Sequence, residues 1–549
     1  MATETDQKDL FRALPDFPPS IWGSTFASLP SQDQQFEAYT EEVEILKVKV
    51  KHMLMQSSVN LTTNVEFINL LCRLGVSYHF ESEIDEHLNH MFNAFPSLYQ
   101  GEDYDLYTLG LLFHTFRLHG YKMSSDVFKK FKKNDGEFDN NITSDVKGLL
   151  SLYEASFLRV HDEGILDEAL DFTKKHLETI LIQKSSPNYL LKHIKKSLSR
   201  PFHHGVERIE TLEYISFYEE EESRNETLLK IAKLDYNRLQ LLYRKELAHL
   251  SRWWKELKPA EKLPYARDRI VEGYFWTLGS QFEPQYSFAR LMGTKYLKMV
   301  SVIDDTYDTY GTIDELKPFT YALQRCTIDG SDELPNYMKD LYKKIMDLFG
   351  ETENHENDGI CYRTSYAKKM FIELARGYLV EAEWLNEDGY VPPFDEYLKN
   401  GLITSTYGSL SSATMIGMEE LGIKDYEWMK SNPKIIEATK LIGRLMNDIK
   451  AHEVEYNRRD CPIGMKSYMN EYEVSKDEAI EGIQKICMNA WKDINEAYMK
   501  PSVGSRIILK HFLNHARVTD FIYTSHDIYT YSSYLKDVIE SLFLHQLPL

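Results

Sequence analysis

The sequence has 549 residues with 64 Lys+Arg against 85 Asp+Glu, a net charge of −21, which argues against a nucleic-acid phosphate backbone as partner and leaves any anionic ligand dependent on metal ions or local arginines. Hydrophobic residues make up 43% and charged residues 27%, an ordinary globular composition, and no apolar run reaches the roughly 18 residues that would suggest a membrane span. The length is too great for one simple core, so two large domains are expected, and only 26 Gly and 18 Pro favour long helices over many turns.

In chain order, residues 1–35 are polar with proline-rich islands and read as an extended arm. Its start, Met1–Gln7, is short and acidic. A transit peptide would be rich in Arg and Ser, and a secretory signal needs an apolar core, so a cytoplasmic protein is expected. Residues 36–225 form a first helical domain. Helical periods recur at Val43, Leu46, Val50 and Met53, then at Phe67, Leu70, Leu71 and Leu74, and at Leu106, Leu109, Leu112 and Phe116. β-branched alternating runs are scarce, so the class is all-α. The run Glu219–Glu222 followed by Ser223-Arg224-Asn225 is acidic and marks the boundary.

Residues 226–549 form a second helical domain, opened by Asp235, Leu239, Leu242 and Glu246, then Trp253-Trp254. Arg267-Asp268-Arg269 follows, shortly before Tyr274-Phe275-Trp276. These arginines are either surface charge or a grip for phosphate oxygens, which a planar guanidinium binds bidentately. Trp276 either packs in the core or lines a pocket. An apolar run, Phe288–Ile303, ends in Asp304-Asp305-Thr306-Tyr307-Asp308. Leu297, Val300, Asp304 and Asp308 fall at helical spacing, which predicts both carboxylates on one face. Two carboxylates at the end of an apolar stripe need a cation or solvent. With no His or Cys beside them they suit a hard ion such as Mg²⁺.

Asn400–Gly408 interrupts a helix with Gly and hydroxyl residues, predicting a kink that turns polar groups toward a cavity. Ser431-Asn432-Pro433 then opens a further helix that stops before Asp460-Cys461-Pro462. Arg444, Asn447, Ala451 and Glu455 share one of its faces. Asp448 lies about 100° around the helix and is secondary. Five scattered cysteines without a CxxC read as reduced thiols. His203-His204 lacks metal-ligand spacing and reads as structural. HExxH, GxGxxG and P-loop motifs are absent from the sequence.

Together, Asp304–Asp308 and Asn447–Glu455 resemble the DDxxD and (N/D)Dxx(S/T/G)xxxE segments of the class I terpene synthases, in the same order and well separated. Pro18–Trp22, Arg73–Phe80, Gly148–Ala155, Leu228–Asp235 and Arg267–Arg269 extend the likeness along nearly the whole chain, which is similar to a plant sesquiterpene synthase. The resemblance implies an N-terminal α-barrel-like domain and a C-terminal catalytic bundle. No DxDD motif of class II cyclases occurs in the first domain, so that domain reads as scaffold. The expected activity is that of a carbon-oxygen lyase: a prenyl diphosphate, farnesyl diphosphate in first place, ionises with loss of diphosphate and gives a cyclic sesquiterpene. Geranyl diphosphate is the alternative substrate within the family. A chain-elongating prenyltransferase, which uses two DDxxD-type segments, and a non-catalytic helical protein are the outside readings.

The resemblance further implies three Mg²⁺ ions, with Mn²⁺ able to substitute, on Asp304, Asp308, Asn447 and Glu455. Arg267, Arg269 and Arg444 take up diphosphate charge. Trp276, Tyr407 and Tyr529 line the pocket, and Tyr523, Asp527 and Tyr529 belong to the stretch that caps it. Arg12 and Trp22 sit in an arm that folds over the mouth in relatives. Two departures stand out. Position 451 is Ala where the family usually has Ser or Thr, leaving that ligand place to water, and Arg458–Gly464 departs from the usual basic-glycine loop. A monomer is expected.

Overall fold

The computed structural model describes residues 14–58, 60–101, 103–354, 361–455 and 463–549, with the side chains of 100, 101, 328, 329, 354, 361 and 452–455 outside the description. Arg12 and the segment Arg458–Pro462 therefore lie outside the described residues. The chain is all-helical; among the described residues the one β feature noted is an isolated bridge between Lys132 and Phe138. No helix among them is long and apolar enough to cross a membrane.

The periodic positions become the core. Leu106, Leu109, Leu112 and Phe116 are buried on the Leu106–Leu118 helix, which packs on Val146–Ser156. The Glu207–Glu219 helix ends inside the acidic run. Asn225 then caps the next helix, Glu226–Glu256, its Oδ1 accepting from the N–H groups of Thr227 at 3.0 Å and Leu228 at 3.2 Å. That long helix lies against Asp33–Ser57 near the chain start. One continuous apolar cluster runs from Trp22 to Phe543 and includes Val43, Val50, Leu228 and Leu239, so the two halves share a core.

The stretches picked out in the sequence form buried polar joints: Tyr78 and His79 tie the first half to Asp235 of the second, and Glu154 ties elements within the first. Tyr78 donates its hydroxyl to Asp235 at 2.9 Å, and His79 Nε2 lies 3.1 Å from the same carboxylate. Arg238 reaches Asp235 at 2.7 Å and the Tyr78 oxygen at 2.7 Å. Burial pushes the Asp235 carboxyl up, but the hydrogen bond and charge of His79, with Arg238 and Arg208, outweigh it and hold it well below the usual range. Glu154 accepts from Ser197 at 2.6 Å and from the Phe202 N–H at 2.8 Å. Trp22 donates its indole N–H to Glu272 at 3.0 Å.

The Phe288–Ile303 run is less apolar than its pattern suggested. Arg290, Lys295 and Lys298 interrupt it and are all buried. Arg290 pairs with Glu246 at 2.6 Å, Lys295 with Glu351, and Lys298 donates to the Arg267 carbonyl. Each buried charge thus has a partner, as its burial requires.

Candidate active site

One side of the site is the C-terminal end of the Ser287–Asp305 helix. The helix passes into a single π turn, Thr306–Tyr310, closed by the Gly311 N–H on the Thr306 carbonyl at 2.7 Å. Thr306 and Thr309 hydroxyls bond back to the carbonyls of Val302 (2.7 Å) and Asp305 (2.6 Å), which accommodates the widened turn. Asp304 lines a cavity together with Leu297 and Val300. Asp308 is exposed and is not among the lining residues. The single α-helix expected through both carboxylates gives way to a π turn after Asp305, yet the charges of Asp304 and Asp308 both act on Arg267 and on the cavity residue Tyr378.

Arg267 is clamped at this end. Its Nη2 donates to Asp304 Oδ2 at 2.6 Å, its Nε sits 2.7 Å from Asp305 Oδ1, and its Nη1 donates to Thr530 at 3.1 Å. The fully buried Asp305, not singled out in the sequence, also accepts the Arg267 backbone N–H at 2.8 Å. Arg269 departs from expectation. It is 0% exposed and its guanidinium is taken by the carbonyls of Pro18 (2.6 Å), Asp268 (2.8 Å), Tyr529 (3.0 Å) and Thr530 (2.8 Å). It does not line the cavity; it staples the N-terminal arm and the 529–530 loop to the bundle, because five N–H donors in one plane suit convergent carbonyls as well as phosphate.

The facing side is the Lys434–Glu455 helix. Arg444 and Asn447 line the same cavity as Asp304. Arg444 Nη2 donates to Asn447 Oδ1 and to Asp448 Oδ1, each at 2.6 Å. Asp448 is buried off the cavity, where Tyr397 donates to it at 2.7 Å. Gly443 permits the closest approach on this wall: a Cβ there would stand 2.1 Å from the Tyr407 ring. Glu455 ends the helix, and its side chain lies outside the described residues.

The predicted kink is a full break between Phe394–Thr404 and Tyr407–Met415. Thr406 holds φ at 69°, a left-handed conformation a β-branched residue adopts only under constraint. Thr404, Ser405 and Thr406 all reach the cavity. Thr404 also donates to Glu381 at 2.6 Å. Burial pushes the Glu381 carboxyl up to about 7, with Asp304 and Asp448 adding to the rise against Arg444 and the Thr404 hydrogen bond. Glu381 was missed in the sequence because it belongs to no spaced motif; its place is visible only once Cys361–Asn386 packs against the broken helix.

The remaining wall is aromatic. Trp276 stands 6.2 Å from Tyr407, 6.2 Å from Tyr523 and 5.8 Å from Tyr529, all lining the cavity. The Tyr407 and Thr519 hydroxyls are hydrogen-bonded. Asp527 holds the 529–530 turn, accepting from the N–H groups of Tyr529 and Thr530 at 3.1 Å each. Burial pushes the Tyr529 phenol up to about 12, so this wall is uncharged at neutral pH. The cavity measures about 120 Å³, below the roughly 300–1,000 Å³ of most ligand sites, so a ligand of ordinary size enters only as these rings and the adjoining turn shift.

Among the described residues no group of three or more His, Cys, Asp or Glu is assembled as a metal site. The donor chemistry nevertheless fits a hard divalent ion. Mg²⁺ needs only one or two protein carboxylates when waters and substrate phosphates complete its shell. Asp304 presents a carboxylate one-third exposed, and Asn447 offers an amide oxygen to the same cavity.

The chain is similar to known proteins along nearly its whole length. The sequence model of the terpene synthase family, metal binding domain, matches residues 255–493, and that of the terpene synthase N-terminal domain matches residues 21–198. Probable terpene synthase 6 of Ricinus communis is 54% identical over 99% of this chain and 100% of its own length. A valerianol synthase of Camellia sinensis is 44% identical over 98% and 97% of the two chains. The crystal structure of isoprene synthase from grey poplar, in complex with three Mg²⁺ ions and dimethylallyl-S-thiolodiphosphate, superposes with a TM-score of 0.86 at 29% identity, covering 94% of this chain and 98% of that one.

Proposed function

The chain belongs to the terpene synthase family, and from that premise we propose that it is a magnesium-dependent sesquiterpene synthase acting on farnesyl diphosphate, with residues 36–225 as scaffold and 226–549 as the catalytic domain. The observation that carries this reading is that Asp304 and Asn447, from helices far apart in sequence, line one aromatic-walled cavity with Arg267 and Arg444. The fifteen-carbon substrate is supported by the valerianol synthase relative, valerianol being a sesquiterpene alcohol.

In this reading Asp304, Asp308, Asn447 and Glu455 hold Mg²⁺, which when bound supplies Lewis-acid stabilisation of the departing diphosphate. Arg267 and Arg444 exchange their carboxylate and amide partners for phosphate oxygens, aimed where negative charge grows. Trp276, Tyr407, Tyr523 and Tyr529 face the allylic cation with neutral rings, each face contributing about 0.5–2 kcal/mol. Asp527 orders the turn that bears Tyr529 and so helps exclude water, which would trap the cation as an alcohol. Arg269 stays a staple for that turn and the arm.

A second reading, a shorter prenyl diphosphate such as geranyl diphosphate, is favoured by the narrowness of the cavity. Gas chromatography of products from purified protein with Mg²⁺ and either substrate separates the two. Sesquiterpene from farnesyl diphosphate, at a higher kcat/KM than any monoterpene from geranyl diphosphate, supports the first reading. The reverse order overturns it, and a longer prenyl diphosphate formed with added isopentenyl diphosphate overturns both.

A further inference from the structure

Arg267 is held by more than its guanidinium. Both polar groups of its main chain are taken by the Ser287–Asp305 helix. Asp305 Oδ2 accepts the Arg267 N–H at 2.8 Å, and the Lys298 ammonium donates to the Arg267 carbonyl. Lys298 and Asp305 stand seven residues apart, about two helical turns, so they project from one face. An anion thus grips the donor of this residue and a cation its acceptor, each with the sign that strengthens the bond.

Lys298 is 1% exposed. Its ammonium lies 4.3 Å from the centre of the Trp254 ring, over the ring face, where a cation is attracted. The indole N–H of Trp254 donates to Asp268 at 2.9 Å. Asp268 is the neighbour of Arg267 in the chain, so the contacts close into a loop around one turn. Burial lowers the Lys298 amine to about 8; Asp305 and Asp268 oppose the fall, and Arg267 and Arg269 add to it. The group therefore stays mostly charged at neutral pH. One turn back, Lys295 is 3% exposed and lies 5.5 Å from the Trp253 ring, but its partner is Glu351. Two buried lysines on one helix thus differ in use. One meets a carboxylate, while the other gives its hydrogen bond to a carbonyl of a cavity residue, a costlier way to bury a charge.

We propose that Lys298 is a positioning residue for diphosphate: it fixes the pivot of Arg267, so that the guanidinium passes from Asp304 and Thr530 to phosphate oxygens by side-chain rotation alone. The proposal rests on the reading of Arg267 as a diphosphate-binding group. Lys298 does not line the cavity, and its influence passes through Arg267. A fixed pivot leaves the arginine fewer conformations to lose on binding.

The test is calorimetric titration of the full chain with pyrophosphate in excess Mg²⁺, arranged as a double-mutant cycle. Arg267→Ala weakens pyrophosphate, as the reading of Arg267 requires. Lys298→Met, apolar and of similar length, weakens it by about 3- to 30-fold, the range of coupling between residues in one contact network, while circular dichroism is unchanged. In the Arg267→Ala background Lys298→Met brings no further loss, because the arginine it serves is gone. Lys295→Met, which removes the other buried lysine of the helix, leaves the affinity unaltered. Lys298→Gln keeps a shorter donor and gives a smaller loss of the same kind; it takes the place of Lys298→Met in the cycle if that variant does not fold. Unchanged affinity in the Lys298 variant, a loss of equal size in the Arg267→Ala background, or an equal loss in Lys295→Met overturns the proposal and leaves the synthase reading standing. Absence of any effect of Arg267→Ala removes Arg267 from the diphosphate site and the proposal with it, and the product assay then decides the synthase reading by itself.

Discussion

Asn447 Oδ1 accepts a hydrogen bond of 2.6 Å from Arg444 Nη2, three residues back on the same helix. The amide oxygen assigned to a cation is thus already occupied, and by a positive group. A metal ion on its second lone pair would sit beside the Arg444 guanidinium, a repulsion relieved when Arg444 turns to another anion such as a substrate phosphate. Metal and substrate are therefore expected to bind together rather than in sequence.

Ala451, one turn beyond Asn447, makes this coupling tighter than in a chain with a hydroxyl there. Ala451→Ser adds a neutral oxygen that Arg444 does not compete for. Half-saturating Mg²⁺ in steady-state turnover should fall by roughly 2- to 10-fold, the worth of one polar contact of about 0.5–1.5 kcal/mol. An unchanged titration curve would show that water already fills the place.

Asp304 carries the other end of the site. Its Oδ2 lies 2.6 Å from Arg267, which Asp305 also holds at 2.7 Å. Asp304→Asn removes a charged oxygen ligand, which accepts from Arg267, yet leaves Arg267 anchored by Asp305, so folding should survive. Turnover should fall by roughly 10²–10³-fold, the usual loss when one group stabilising developing charge is removed, with the melting temperature nearly unmoved. Retained turnover would remove Asp304 from the metal set.

What the sequence made legible follows from range. Helix periods and caps are local, so Leu109, Leu112 and Phe116 could be assigned to the core from spacing alone. The two polar faces, Asp304 and Arg444–Asn447, were legible because three- and four-residue spacing survives in any α-helix. The π turn between Asp304 and Asp308 was not, since the spacing does not reveal the hydroxyl back-bonds of Thr306 and Thr309 that accompany it. Arg267 and Arg269 look equivalent two residues apart. Only the tertiary structure brings carboxylates to one and carbonyls from positions 18, 529 and 530 to the other. Buried Arg290 and Lys298 were hidden for the same reason, their partners lying elsewhere in the fold.

Glu381 gives a pH signature. Its carboxyl is raised from 4.5 to about 7, by burial first and then by Asp304 and Asp448. Between those values the folded chain keeps a proton that the unfolded chain has released. Its contribution to stability is therefore full below about 4.5 and declines as pH rises through about 7. Glu381→Gln keeps a hydrogen-bonding group without the charge. It should raise the unfolding midpoint at pH 8 by about 1–3 °C and have little effect at pH 4.5. Scanning calorimetry at the two pH values checks this, and an equal shift at both would show that charge is not the cause.

Trp276 distinguishes a reactive wall from ordinary packing. It is 5% exposed and touches three tyrosines of the same cavity, a position that plain core packing would also explain. The two roles separate in their consequences. If the indole only fills space, Trp276→Leu lowers the melting temperature and scales all products down together as folded enzyme is lost. If its face stabilises a passing cation, about 0.5–2 kcal/mol disappears from the steps in which charge lies nearby, slowing them by roughly 2- to 30-fold relative to the rest. Early-exit products, acyclic hydrocarbons and alcohols from water capture, should then rise as a fraction of the total. Trp276→Phe, which keeps a smaller aromatic face, should restore much of the original ratio. Product ratios by gas chromatography, normalised to folded enzyme, decide between the two. An unaltered profile in Trp276→Leu, with the rate falling only in step with folded protein, would return this residue to the core.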